Sequence, residues 1–393
     1  MPRLMPRPMP RLMSPWGVAL LAALLLLTAA DALTWNWATH RLERNFATWS
    51  RQRTREGWTL RHGPPRRAGF PFSAELILPD FAARPPGPLG LPGPAGCGAH
   101  LPPAPTGATL CAGRVTWRAA SLVLRLPPLL PPRIEAVAHG AQSFAVGAFP
   151  PVPFHAATMT LRLSLTWHGQ IRAARLAVAA LRGDPGGRAA GLTVRAARLR
   201  VARGPDRRMT MAFRIADIAL PKSRIWPLGR RIAEVSASGW ASAPPRGGGP
   251  ARARLERWRR AGGTVRLTAA RLRWDQLDLS ASARLGLDPL LRPEGEGMAM
   301  VAGYAPALDT LAANGALSND AALAAKGVLS LLAAAGPQGG QAGGQGGAHG
   351  APAGAPAGAL LLPFVLRDGR LMMDGMPLAR LPPVVGAGNA GGG

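Results

Sequence analysis

Met159-Thr160-Leu161-Arg162-Leu163-Ser164-Leu165-Thr166-Trp167 alternates without a break between apolar and polar residues. Successive side chains of a strand point to opposite faces, so this pattern predicts a half-buried antiparallel strand. Met209-Thr210-Met211-Ala212-Phe213-Arg214-Ile215 repeats the pattern, and Leu122–Leu126, Leu192–Val194 and Val265–Leu267 repeat it more briefly. The chain is therefore expected to be mainly β, a large curved antiparallel sheet resembling a groove or an open barrel. Met159, Leu161, Leu163, Leu165 and Trp167 should share one interior with Met209, Met211, Phe213 and Ile215, as the lining of either a groove or a core. Met at three of these positions suits an irregular lining. Ala196-Ala197 and Ala269-Ala270 interrupt the alternation and mark bulges or turns. Arg on most of the polar faces reads as a solvated surface.

Around these strands the breakers set the limits. The Pro-rich stretches 84–106, 127–132 and 150–153 read as loops, because Pro cannot donate to a ladder. Gly247–Gly249 marks a further loop. Arg252–Arg260, Tyr304–Asn314 and Ala316–Ala335 have helical spacing, which puts a few short helices near the carboxyl-terminal third. Residues 336–358 form a Gly/Ala/Pro/Gln tract with no core-forming side chains and are expected to be a flexible insertion. Residues 359–385 return as strands, with Asp368-Gly369 as a turn. The Gly-rich end, 386–393, is expected to be a disordered tail.

The amino terminus carries a different signal. A basic leader over 1–15, with Arg3, Arg7 and Arg11, precedes an apolar segment over 16–38 and a juxtamembrane helix over 39–56 that should stop at Gly57. Ala30-Asp31-Ala32 fits a cleavage site, whereas Trp35 and Trp37 extend the segment as an interfacial belt. The reading adopted is an uncleaved single-pass anchor in the inner membrane, with the β-rich domain from 57 to 335 and beyond on the periplasmic side. Five Arg between 41 and 55 outnumber the three in the leader, but a long domain can be translocated despite its charge. In that compartment Cys97 and Cys111, with thirteen residues between them, are expected to form a disulfide worth about 3 kcal/mol.

The net charge of +27 alone would point to nucleic acid. The basic residues are Arg throughout except Lys222 and Lys326, and they are spread along the chain together with abundant Ala, Gly and Pro. That is the mark of a GC-rich coding sequence rather than of a binding patch, so nucleic acid is not expected as a partner. The sequence contains no nucleophile elbow, no phosphate-binding loop and no His-x-x-x-His pair. Asp275 with Asp278, and Glu294 with Glu296, read as solvated turn carboxylates rather than acid–base pairs. No enzyme activity, cofactor or metal is expected.

Gly57-Trp58, Ala68-Gly69-Phe70-Pro71-Phe72, Leu277–Leu287, Pro293-Glu294-Gly295, Asp368-Gly369-Arg370 and Leu381-Pro382-Pro383 together resemble an uncharacterised family of alphaproteobacterial envelope proteins, domain of unknown function 2125, from about Trp35 to Pro383. The resemblance implies one membrane segment followed by a β-rich domain, and no catalytic residue. In architecture the chain is also distantly similar to lipid-transport and envelope-assembly proteins of the AsmA type. The Gly69–Phe72 phrase is read as a structural corner. The expected function is that of a membrane-anchored periplasmic envelope protein that shields or transports lipid in an apolar β groove. The alternatives are a scaffold domain without a ligand and an Arg-rich module for anionic lipid or lipopolysaccharide. Partners would be the inner membrane, lipid and other envelope proteins.

Overall fold

The computed structural model describes residues 15–71, 73–85, 89–92, 110–113, 115–126, 133–146, 151–166, 171–184, 191–204, 206, 208–221, 226–242, 251–335, 359–373, 376–381 and 383–384. In chain order the elements are α1 (Pro15–Arg55), β1 (Thr59–Arg61), β2 (Arg66–Ala68), β3 (Ala74–Arg84), β4 (Leu89–Pro92), β5 (Leu110–Gly113), β6 (Val115–Leu126), β7 (Arg133–Val146), β8 (Val152–His155) and β9 (Thr158–Leu165). They continue with β10 (Ile171–Gly183), β11 (Thr193–Arg203), β12 (Met209–Ala219), β13 (Arg231–Ala241), α2 (Ala251–Arg260), β14 (Val265–Trp274), β15 (Leu277–Leu287) and β16 (Pro293–Ala302). The last are α3 (Tyr304–Ala313), α4 (Asn319–Ala335), β17 (Leu360–Arg367), β18 (Arg370–Met373) and β19 (Met376–Arg380).

Seventeen of these strands form one antiparallel sheet. It is a meander. β1 and β2 share one edge along β3, which pairs β6, then β7. β8 and β9 divide the slot between β7 and β10. From β10 to β19 each strand pairs with the next. β4 and β5 form a separate hairpin. Two Pro-rich stretches expected as loops thus contribute short strands. β4 lies off the main sheet. β8 is four residues long, and its Pro153 sits opposite Ser143 and offers its carbonyl to the Asp184 amide. Of the other interruptions, 127–132, 243–250, 336–358 and 386–393 lie outside the described residues.

Helix α1 covers one end of the sheet. Trp35, Thr39, Leu42, Phe46 and Trp49 recur at spacings of four and three, which places them on one stripe of a helix. Leu42 and Phe46 are buried against Leu76, Leu78 and Phe81 of β3, Ala119, Leu122 and Leu124 of β6, and Ala136 and Ala138 of β7. Leu78 has no exposed surface and Leu76 retains 1%. The Trp35 indole donates to the Ser73 carbonyl at 3.0 Å, and Arg67 pairs with Glu43 at 2.7 Å. The helix ends where the sequence predicts. Gly57 has a φ of 87°, its amide donates to Thr54, and the Trp58 amide donates to Arg53, closing the last turn.

Three of the long strands carry left-handed residues that the alternation marks only as interruptions. Asp80, Ala180 and Asp217 have φ between 48° and 51° inside β3, β10 and β12. The side chains on the apolar face change parity there: Leu76 and Leu78 give way to Phe81, and Phe213 and Ile215 give way to Ile218, while the register with the partner strand is kept. Of the two expected slips, the one at Ala269-Ala270 is present, where β14 shifts against β15 between Leu267 and Ala270. At Ala196-Ala197 β11 keeps a single register with both β10 and β12.

At the other end, α3 and α4 pack near β15 and β17, with Ala307 and Ala322 buried in the same region as Ala299 and Leu360. The turn between β15 and β16 is locked by Asp288. One of its carboxylate oxygens accepts from the Leu290 and Arg292 amides, both at 2.8 Å, and the other from Arg292 Nε at 2.6 Å. Burial pushes this carboxyl up, but the bonds and charge of Arg292 and the Leu290 amide outweigh it and hold the group below the ordinary carboxylate range. Leu291 behind it is fully buried.

Candidate functional site

Because the pairing is continuous, residues in register form rows that cross the whole sheet. Leu161, Leu176, Leu199, Phe213 and Ala237 occupy one such row on β9 to β13. Met159, Val178, Ala197, Ile215 and Val235 occupy the next, and Leu163, Ala174, Val201 and Met211 the one after. Met159, Leu161 and Leu163 therefore lie on the same face as Met211, Phe213 and Ile215, side by side in three shared rows three strands apart, rather than opposed across a core. Leu165 is opposite Ile171, and Met209 is opposite Arg203 and Ala241. Trp167 lies outside the described residues.

The environment of this face changes along the sheet. Under α1 it is sealed. Across β11 and β12 it opens: Leu199, Phe213 and Met211 are 40–42% exposed. Beyond β14 it is partly covered again, near α3 and α4. The open patch carries no charged side chain in its three rows. Its apolar residues are larger than the Ala-rich positions that continue the middle row, Ala270, Ala281 and Ala299. Such a face lowers its free energy by roughly 25 cal/mol for each Å² removed from water, and contiguous apolar surface of this kind marks an interaction site.

The reverse face is ionic. Glu75, Arg125, Glu135, Arg162, Arg175 and Arg200 form one row from β3 to β11. Arg125 pairs with Glu75 at 2.8 Å and Arg162 with Glu135 at 3.0 Å. Further along the sheet Arg214 pairs with Glu234 at 2.9 Å and Arg271 with Asp278 at 2.6 Å. Asp278 is thereby engaged, and Asp275 sits in the tight turn before β15 with a φ of 51°, so this pair is structural. Glu294 and Glu296 stand on the exposed side of β16. Among the described residues no cluster of His, Cys, Asp and Glu could hold a metal.

Gly69, Phe70 and Pro71 stand between β2 and β3. Gly69 has a φ of 91°, and the Ser73 amide donates to its carbonyl at 2.9 Å. A Cβ at Gly69 would lie 2.5 Å from the Ser73 carbonyl oxygen, so Gly is required there. Phe70 meets Trp35 edge-on with ring centroids 5.6 Å apart. Phe70 is 53% exposed, so it packs against the helix and not beneath the sheet. Phe72 lies outside the described residues, as does Cys97. Cys111 falls in β5.

On α1, Leu24, Leu26, Leu27 and Leu33 are 59–72% exposed. Among the described residues no helix is long and apolar enough to cross a membrane. The sequence singled out both exposed apolar surfaces. The covering of the sheet by α1 at one end was not legible, because a stripe of Trp, Leu and Phe on a helix suits a bilayer interface as well as a sheet.

The family described as uncharacterized protein conserved in bacteria (DUF2125) matches residues 35–382, from the Trp35 that anchors α1 to the segment after the last strand. No curated protein and no solved structure matches the chain. With a match over most of its length, this chain belongs to that family of bacterial proteins of uncharacterised function.

Proposed function

We propose that the protein holds lipid acyl chains along the open apolar face of β9–β13, in the cell envelope, while the amino-terminal part of α1 tethers it to the inner membrane and the sheet lies on the periplasmic side. The observation that carries this reading is the contrast along one face. The same rows that are sealed beneath α1 leave Leu199, Met211 and Phe213 exposed three to four strands later. Flexible Met and branched Leu side chains accommodate chains of varying shape. The leucines bare on α1 support the tether, since their exposed surface would otherwise face water. No catalytic role is assigned to any residue.

The test is extraction and mass spectrometry of lipids from the full-length protein purified in mild detergent. Wild-type protein should carry lipids with acyl chains, and Phe213→Asp should lose them while melting within a few degrees of wild type. Lipid-free wild-type protein, or an unchanged lipid content in Phe213→Asp, would overturn the assignment.

A further inference from the structure

At the edge of the sheet, on the face turned away from α1, lies a cleft of about 150 Å³ lined by Thr59, Arg61, Ala82, Arg84, Thr116 and Arg118. Three adjacent strands build it. β1 places Thr59 opposite Arg84 and Arg61 opposite Ala82, and β6 places Arg118 opposite Ala82 on the other side. Thr116 lies against Arg84, whose Nε donates to its hydroxyl at 3.2 Å. The small Ala82 thus lies between Arg61 and Arg118 on the flanking strands, with Arg84 two residues farther along β3. Neighbouring strands are about 4.8 Å apart, so Arg61 and Arg118 are separated by roughly 10 Å at their backbones. That span allows both guanidiniums to close on one small ion.

The charges in this cleft are unbalanced. Among the described residues none of Arg61, Arg84 and Arg118 is in an ion pair, and Asp80, two residues from Ala82, makes none either. This contrasts with the neighbouring Glu75–Arg125–Glu135–Arg162 row, where acid and base alternate and pair. A concave site lined by one sign of charge focuses its field and concentrates counter-ions. Guanidinium forks and hydroxyl donors match the tetrahedral oxygens of phosphate.

We propose that this cleft is a binding site for a phosphate group, with Arg61, Arg84 and Arg118 as the charged ligands and Thr59 and Thr116 as hydroxyl donors. The site is separate from the apolar patch, which lies on the opposite face, and its assignment does not depend on lipid binding there. A phosphate could arrive on a lipid headgroup or on a soluble ester, and position favours the soluble source. The cleft follows the carboxyl end of α1, and twenty residues of helix separate Arg55 from Trp35, about 30 Å at 1.5 Å per residue.

The experiment is titration of full-length protein with inorganic phosphate by calorimetry, in phosphate-free maltoside detergent and, separately, in nanodiscs of phosphatidylglycerol. Wild type should bind phosphate. Arg84→Gln should weaken binding about tenfold or more, and the combined Arg61→Gln, Arg84→Gln, Arg118→Gln variant should abolish it, whereas Arg200→Gln leaves it unchanged. Arg61→Gln and Arg118→Gln alter exposed side chains and provide folded single variants should Arg84→Gln lower the melting temperature. Equal affinity in detergent and in the nanodiscs assigns a soluble phosphate ester, and weaker apparent affinity in phosphatidylglycerol assigns the headgroup as competitor. Absence of binding to wild type at millimolar phosphate, or wild-type affinity in the triple variant, would overturn the proposal.

Discussion

Asp288 shows how one side chain can hold a connection that its sequence context barely advertises. Asp-Pro suggests a turn, but nothing in the sequence indicates that the carboxylate accepts two amides and a guanidinium from the next four residues. Its folded pKa is depressed, so the stability it contributes is present above its ordinary value near 3.9 and is lost as the pH falls from there towards the folded value. Asp288→Asn should cost about 3 kcal/mol at pH 7, since Arg292 would lose its buried counter-charge. The gap from wild type in urea midpoints should shrink below pH 4. Phe70 leads to the opposite expectation. The motif was legible in the sequence, but its half-exposed ring limits Phe70→Ala to about 1–2 kcal/mol by chemical denaturation, below the 3–5 kcal/mol of a buried ring.

Among the elements, alternation identified β9 and β12 because their apolar faces run uninterrupted for seven or more residues. β3, β10 and β13 were less legible. A left-handed residue at Asp80 or Ala180 moves the apolar side chains to the other parity, so one strand of eleven or thirteen residues looks like two short fragments. β10 also carries Ala on both faces, Ala174 on the apolar one and Ala173, Ala177 and Ala179 on the other, and Ala does not mark a face. The helices near the carboxyl end were found from spacing alone, within a few residues of α3 and α4. The sealed and open stretches of the apolar face should differ in their response to truncation. Leu78→Ala, beneath α1, should cost about 2–5 kcal/mol by the cavity it leaves. Leu199→Ala, on the open stretch, should cost less than about 1.5 kcal/mol, because part of that side chain is already in water. Equal losses in urea unfolding would mean that the two stretches are equally covered.

At the scale of the whole molecule, the proposed topology has its own test. A reporter that requires export, fused after Pro383, should be active, and a cytoplasm-dependent reporter at the same site should be silent. The reverse pattern would place the sheet on the other side of the membrane. The uninterrupted meander has a further consequence. From β9 to β19 each strand pairs with the next, so the insertions α2 and α3–α4 hang between neighbours without disturbing the rows. One added or deleted hairpin would change the width of the apolar strip by about 10 Å and leave every other pairing in place. The sheet therefore works as a ruler whose length is written in units of two strands, and relatives of this chain can reach farther or less far by duplicating or losing a hairpin, with no redesign of the surface that remains.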